Sequence, residues 1–281
     1  MTLNQVTIPL YEFAADGAIM PNLLFHRSWD KLHSRCIEYP FAAAQLGNVQ
    51  RILDVGTVKA DRVWIEWLEQ LPLDVHATDY DEPERPFANL TFHQGDVRQL
   101  SLPAAMFDLI LAVSVIEHIG LPDPQVNAAT LPAMDSDGDV VAVRELARLL
   151  RPGGKLVMTF PFGPQAELIL GQSARCYSAQ TIRRFEAVLQ PVQLDYYEYQ
   201  FSRYLNRYDE YPAPVTARRL VQAAVNRLRR RRVARTAVPV HQRPLLPGAV
   251  TWRKRPFATT QATHRGHVDG VVCGVWQKMG D

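Results

Sequence analysis

Three aspartates stand where apolar runs give way to turns. Asp54 lies in Ile52-Leu53-Asp54-Val55-Gly56, Asp79 closes Val75-His76-Ala77-Thr78-Asp79, and Asp96 sits in Gly95-Asp96-Val97. A glycine after a buried strand permits a sharp turn and lets a ligand approach the backbone closely. Asp79 follows Gly56 by 23 residues. At that separation an acidic side chain accepts hydrogen bonds from the ribose hydroxyls of an adenosine ligand. Asp96 is placed to accept from an adenine amino group. Three acids at successive strand ends on one sheet edge read as a nucleoside pocket rather than as solvated loop charges.

The elements that must position these acids are legible from Arg51 to Pro161. Strands are expected over Arg51–Val55, Asp74–Thr78, Leu90–His93, Asp108–Val115 and Lys155–Phe160. Leu109–Val115 and Lys155–Phe160 are nearly continuous apolar runs, as parallel strands buried on both faces require. Amphipathic stretches over Arg62–Leu71 and Val140–Leu150 separate them, the second stopped by Arg151-Pro152-Gly153-Gly154. Alternation of this kind predicts a doubly wound α/β fold with helices on both faces. Ser28–Gly47 is expected to hold one or two short helices interrupted at Tyr39-Pro40. Ser178–Leu189 is expected to be a helix capped by Ser178, followed by strands over Val192–Tyr199 and Val271–Lys278.

Charge divides the chain. Between Tyr211 and Val268 there are 12 Arg, one Lys and no Asp or Glu; with those 13 removed, 18 basic residues of the chain's 31 face 29 acidic ones. The expected organisation is an N-terminal helical cap (1–48), an α/β domain (49–202 and 269–281) and a basic helical insertion (203–268). Leu220, Val221, Ala224, Val225 and Leu228 form an apolar stripe at helical spacing there. Cys36, Cys176 and Cys273 show no ligand spacing and read as reduced thiols of a cytoplasmic protein. No secretory or membrane-spanning run is found. The histidines offer no metal site. Asp135–Asp139 lacks the glycine and glutamate of a calcium loop and is expected to cap a helix.

ILDVG, ATD, GDV, FDLILAVSVIEHI and ELARLLRPGGKLVMTFP occur in that order. In this the chain resembles the class I S-adenosylmethionine-dependent methyltransferases, over roughly residues 49 to 200 and the last dozen. The resemblance implies a Rossmann-like, mostly parallel seven-stranded sheet whose last strand runs antiparallel. It also implies S-adenosylmethionine as cofactor. Asp54 and Gly56 would line its methionine moiety, Asp79 with the adjoining Tyr80 its ribose, and Asp96 and Val97 its adenine, with Ser114 and Val115 alongside. Arg35, Glu38 and Tyr39 lie where such enzymes often fold over the cofactor. Thr57-Val58-Lys59-Ala60 departs from the family's usual further glycines. The same loop weakens any dinucleotide reading, since a pyrophosphate needs a glycine-rich approach.

His118, three residues past the fourth expected strand, is the candidate general base for an alcohol acceptor, an unperturbed imidazole titrating near ~6.5. Its plainer reading is a helix-start histidine that packs. IEHIGL and TFPFG resemble bacterial enzymes acting on sugars, glycan-linked molecules or other small metabolites. The absence of an NPPY-like segment disfavours methylation of nucleic-acid bases. The basic segment suits a phosphorylated or nucleotide-linked acceptor or anionic lipid headgroups. No aromatics interleave with its arginines to stack on bases. Two rival readings are an adenosine-ligand sensor that binds through this segment and a transferase that uses the same cofactor without donating its methyl group.

Overall fold

The computed structural model describes residues 34–122, 126, 134–201, 250–255 and 270–280. Arg51–Val55 (β1), Asp74–Asp79 (β2), Thr91–Gln94 (β3), Phe107–Val113 (β4) and Leu150–Pro161 (β5) form the parallel part of one sheet. Gln190–Phe201 (β8), Val250–Arg255 (β9) and Gly270–Gln277 (β10) complete it, while Glu167–Ile169 (β6) and Ala174–Cys176 (β7) pair as a separate hairpin. The order is β3-β2-β1-β4-β5-β10-β8-β9. The last strand enters between β5 and β8, antiparallel to both. The chain therefore reverses its direction of travel between β1 and β4, the crevice in which open α/β sheets bind ligands.

Strand residues alternate between two apolar layers. Leu53, Ile110, Met158, Val272 and Trp276 face one, with Val143 and Leu146 of the helix Gly138–Leu149 (α3). Ile52, Leu109, Leu111, Val157 and Cys273 face the other, with Trp64 and Leu68 of Arg62–Glu69 (α2) and Ile37 and Phe41 of Arg35–Ala43 (α1). Both faces are covered, so the strands read as unbroken apolar runs.

Four expectations are corrected. α1 runs unbroken through Tyr39 and Pro40. Burial of Ile37, Tyr39, Phe41, Ala42 and Ala43 outweighs the one backbone bond that a proline costs. Ser178–Leu189 forms a 3-10 helix, Thr181–Ala187, rather than an α-helix. The sheet has eight strands instead of seven, because β9 pairs with β8 along its edge. The segment 203–268 is thus not wholly helical; its Arg-rich stripe, and residues 1–33, lie outside the described residues. No described helix is long and apolar enough to cross a membrane.

One side chain ties the sheet's entry together. Asp108, 6% exposed, accepts from the backbone N–H groups of Gln50 (2.6 Å) and Arg51 (3.0 Å) and pairs with Arg151 (2.6 Å). It anchors the start of β1 to β4 and to the turn into β5. Asp108→Ala leaves two backbone donors unsatisfied and is expected to cost about 1–3 kcal/mol. Urea denaturation checks this, and an unchanged midpoint would show that water takes the carboxylate's place.

Candidate active site

The carboxyl ends of β1, β2 and β4 converge. Gly56 adopts the left-handed conformation at φ 79°, and its N–H donates to the Thr78 carbonyl at 2.8 Å. A Cβ there would stand 2.5 Å from Val115 Cγ2. Only glycine meets both constraints. Val115 therefore packs directly against the turn.

Asp54 is held from within the fold. Its carboxylate, 2% exposed, is turned into the protein: Oδ2 accepts the Thr57 hydroxyl at 2.6 Å and Oδ1 accepts Trp64 Nε1–H at 3.0 Å. It braces the turn against α2, and its burial, not a want of lone pairs, sets it apart from the more open Asp79. Tyr39 stacks on Trp64 at 4.6 Å, and its hydroxyl accepts from the Asp61 N–H at 3.0 Å, so α1 joins the same brace. Arg35 and the Ser34 hydroxyl both bind Glu38, a buried carboxylate.

Asp79 is half-buried at the end of β2. Oδ2 accepts from the Val58 N–H (2.9 Å) and Oδ1 from the Asp81 N–H (3.1 Å), which leaves further lone pairs on each oxygen. Burial pushes its carboxyl above the usual range, against the pull of those backbone donors. Tyr80 follows, half-buried, its carbonyl accepting from Gln94 Nε2 at 3.3 Å.

Asp96 is occupied differently from expectation. Arg98 donates to Oδ2 from Nε (3.0 Å) and a terminal nitrogen (2.6 Å) and to Oδ1 from its backbone N–H (2.9 Å) and Nε (3.1 Å), and it also reaches within 3.8 Å of Asp135. Burial raises the Asp96 carboxyl, but the Arg98 hydrogen bonds outweigh it and hold it below the usual range. An adenine amino group would have to share this carboxylate with the guanidinium. Val97 is buried in the core layer below.

Ser114 leaves β4 at φ 54°, uncommon for a residue with a Cβ. Its N–H donates to the Thr159 carbonyl (2.9 Å) and hydroxyl (3.1 Å), and its own hydroxyl donates to Glu117 Oε1 at 2.5 Å. His118 ends the following 3-10 turn, about a third exposed. Its Nδ1 lies 2.7 Å from the Ser173 carbonyl, which can only accept, so Nδ1 carries the proton and a neutral ring keeps its lone pair on Nε2.

The β6–β7 hairpin supplies what the sequence did not disclose. Arg175, 8% exposed, donates to the carbonyls of Glu117 (3.3 Å), Ile119 (2.8 Å), Asp135 (3.3 Å) and Ser136 (3.0 Å). Tyr177 donates to Asp139 at 2.9 Å. The acids before α3 make ion pairs and hydrogen bonds of this kind and give no side-chain cap, correcting the capping expectation. Among the described residues no three acids, histidines or cysteines gather to hold a metal. A cavity of about 890 Å³ is lined by residues that include Val58, Lys59, Arg62, Asp81 and Phe87. Neither Ser114 nor His118 lines it.

Residues 53–158 match a family model described as a methyltransferase domain. Residues 53–158 therefore form an S-adenosylmethionine-dependent methyltransferase domain. S-adenosylmethionine is the cofactor of this methyltransferase. Among solved structures, it is similar to the 1,6-didemethyltoxoflavin-N1-methyltransferase of Burkholderia thailandensis, solved with 1,6-didemethyltoxoflavin and S-adenosylhomocysteine. Identity is 16% and the TM-score 0.46, over 85% of this chain and 75% of that one. N-methyltransferase NodS from Bradyrhizobium japonicum WM9 is 13% identical, with a TM-score of 0.43 over 85% and 90% of the two chains. The cyclase SpnF is 17% identical, with a TM-score of 0.46 over 91% and 87%. No curated protein matches the methyltransferase by sequence.

The buried Asp54 generates a pH dependence. Burial, with a smaller push from Asp79, raises its carboxyl from 3.8 to about 7 against the donors Thr57 and Trp64. A folded chain that keeps a proton the unfolded chain has lost becomes less stable as pH rises, here between about 4 and about 7. Asp54→Asn keeps an acceptor and removes that charge. Thermal melts are expected to show the variant gaining on the wild type across this window and holding the gain above it. A difference independent of pH would show that Asp54 does not titrate there.

Proposed function

We propose that this methyltransferase transfers a methyl group to oxygen or nitrogen of a small-molecule acceptor held beside His118. The observation that supports this best is the convergence of Gly56, the Asp79 carboxylate and the Ser114–His118 turn at the one point where the sheet's winding reverses. The bound cofactor supplies an electrophilic methyl group on a sulfonium. The protein's part is alignment, exclusion of water and management of one proton.

The residues divide that work. Asp79 keeps lone pairs free for two ribose hydroxyls while the Val58 and Asp81 N–H groups fix its orientation. Gly56 lets the cofactor's amino-acid end approach the backbone. Val97 walls the adenine side, with Asp96 and Arg98 as one polar unit at its edge. His118, oriented by Ser173, takes the acceptor's proton at Nε2 when the acceptor is an alcohol. A sugar or glycan-linked acceptor rests on the sequence resemblance alone, and a phosphorylated or nucleotide-linked one on the charge of 203–268.

Two variants separate cofactor binding from chemistry. Asp79→Ala is expected to weaken S-adenosylmethionine and its demethylated product by about 1.5–3 kcal/mol. Calorimetry on the folded variant checks this, and unchanged affinity for both ligands would remove Asp79 from the site. His118→Ala is expected to lower turnover of an alcohol acceptor by about 10²-fold or more, with cofactor affinity intact. The acceptor for that assay is found by screening candidates with labelled S-adenosylmethionine. Retention of most turnover would make His118 structural, or the acceptor an amine that needs no base.

A further inference from the structure

Glu117 is a buried carboxyl that the division of work above does not use. It is 1% exposed, and its Oε2 has no hydrogen-bond partner among the described residues. Oε1 accepts the Ser114 hydroxyl at 2.5 Å and stands 3.9 Å from His118 Nε2. A buried carboxylate is costly unless it is paired and fully hydrogen-bonded, so a half-satisfied one beside a titratable ring calls for a role. The charged groups around it come from three elements. Glu38 and Arg35 approach from α1, His118 from its own turn, and Arg175 with Tyr177 from the β7 side, where Arg175 holds the Glu117 carbonyl.

We propose, on the reading of His118 as the base, that Glu117 is its positioning residue. One oxygen secures Ser114 in its left-handed turn, and the carboxylate faces the imidazole nitrogen that receives the proton. As the acceptor's X–H bond breaks, its electron pair stays on X and the proton passes to Nε2. The ring becomes an imidazolium with Nδ1–H on the Ser173 carbonyl and Nε2–H beside Glu117. A ring movement on the order of 1 Å closes the remaining gap to a charge-assisted hydrogen bond. The fixed carbonyl on one nitrogen and the buried anion near the other stabilise the cation where it forms.

Burial raises the Glu117 carboxyl above the usual range, while His118 and then the Ser114 hydroxyl draw it back down. Removing the imidazole should therefore send it higher. The test is a carbon NMR titration of the full-length protein labelled at glutamate carboxyls, with the Glu117 resonance assigned by its loss in Glu117→Gln. In His118→Asn, or His118→Gln should the first variant fail to fold, Glu117 is expected to titrate at least about half a pH unit higher than in the wild type. A purely structural Glu117, tied to Ser114 alone, would not move, and that result overturns the proposal. S-adenosylmethionine affinity of the wild type, measured on the same samples, keeps the outcomes apart. Its absence would sink the reading of the cofactor cleft while leaving the Glu117–His118 coupling to be read from the titration.

Discussion

The contact between the turn after β1 and the start of the turn after β4 governs much of this molecule. Gly56 and Val115 pack so closely that a side chain at 56 would overlap an isopropyl group. This closeness draws the two strand ends together. From it follow the position of Val58, whose N–H reaches Asp79, and the inward rotation of Asp54 toward Thr57 and Trp64. The switch point of the sheet is not an opening left over between strands. It is braced by a buried carboxylate, an indole and the tyrosine ring stacked on it.

The winding of the sheet was legible because buried parallel strands carry a plain signal: Leu109–Val113 and Leu156–Phe160 are apolar on both faces. The placing of Gly56, Asp79 and Ser114 at the ends of strands was legible because apolar runs that stop at a glycine, an acid or a serine mark where a buried strand turns. The fate of Asp54 and Asp96 was not. Which way a carboxylate turns depends on donors that fold in from elsewhere, Trp64 for one and Arg98 for the other. Arg175 left no local mark at all. A lone arginine in Ser173-Ala174-Arg175-Cys176 looks like any surface residue until the hairpin delivers it to four carbonyls. Pro40 misled for a related reason: local chemistry argued for a break, and the buried faces on either side overrode it.

The side of the cleft away from Asp79 is held by polar groups in an apolar setting. Arg175, Asp139, Tyr177 and Glu117 are all buried. Such networks contribute little net stability compared with apolar packing, but each bond specifies a geometry. Arg175 spans the turn that carries His118 and the loop that leads into α3, so the hairpin and both segments keep fixed relative positions. Ser173, in the same hairpin, sets which nitrogen of His118 holds the proton. The hairpin between β6 and β7 thus orients the His118 ring through a backbone carbonyl and holds its turn through Arg175.

The position of β10 bears on how such a chain comes to be folded. Cys273 pairs with Thr159 on one side and Asp195 on the other, so a strand from far downstream fills the gap between two that are made much earlier. Contacts so distant in sequence form slowly, because a long loop must close before any pairing repays it. Until the strand arrives, β5 and β8 each present an unsatisfied ladder of backbone donors and acceptors, the surface on which sheets of different chains join. Until then the sheet stands in two parts, five strands on one side of the gap and two on the other. Its vulnerability to aggregation lies in that interval, at an interior position of the finished sheet rather than at its rim.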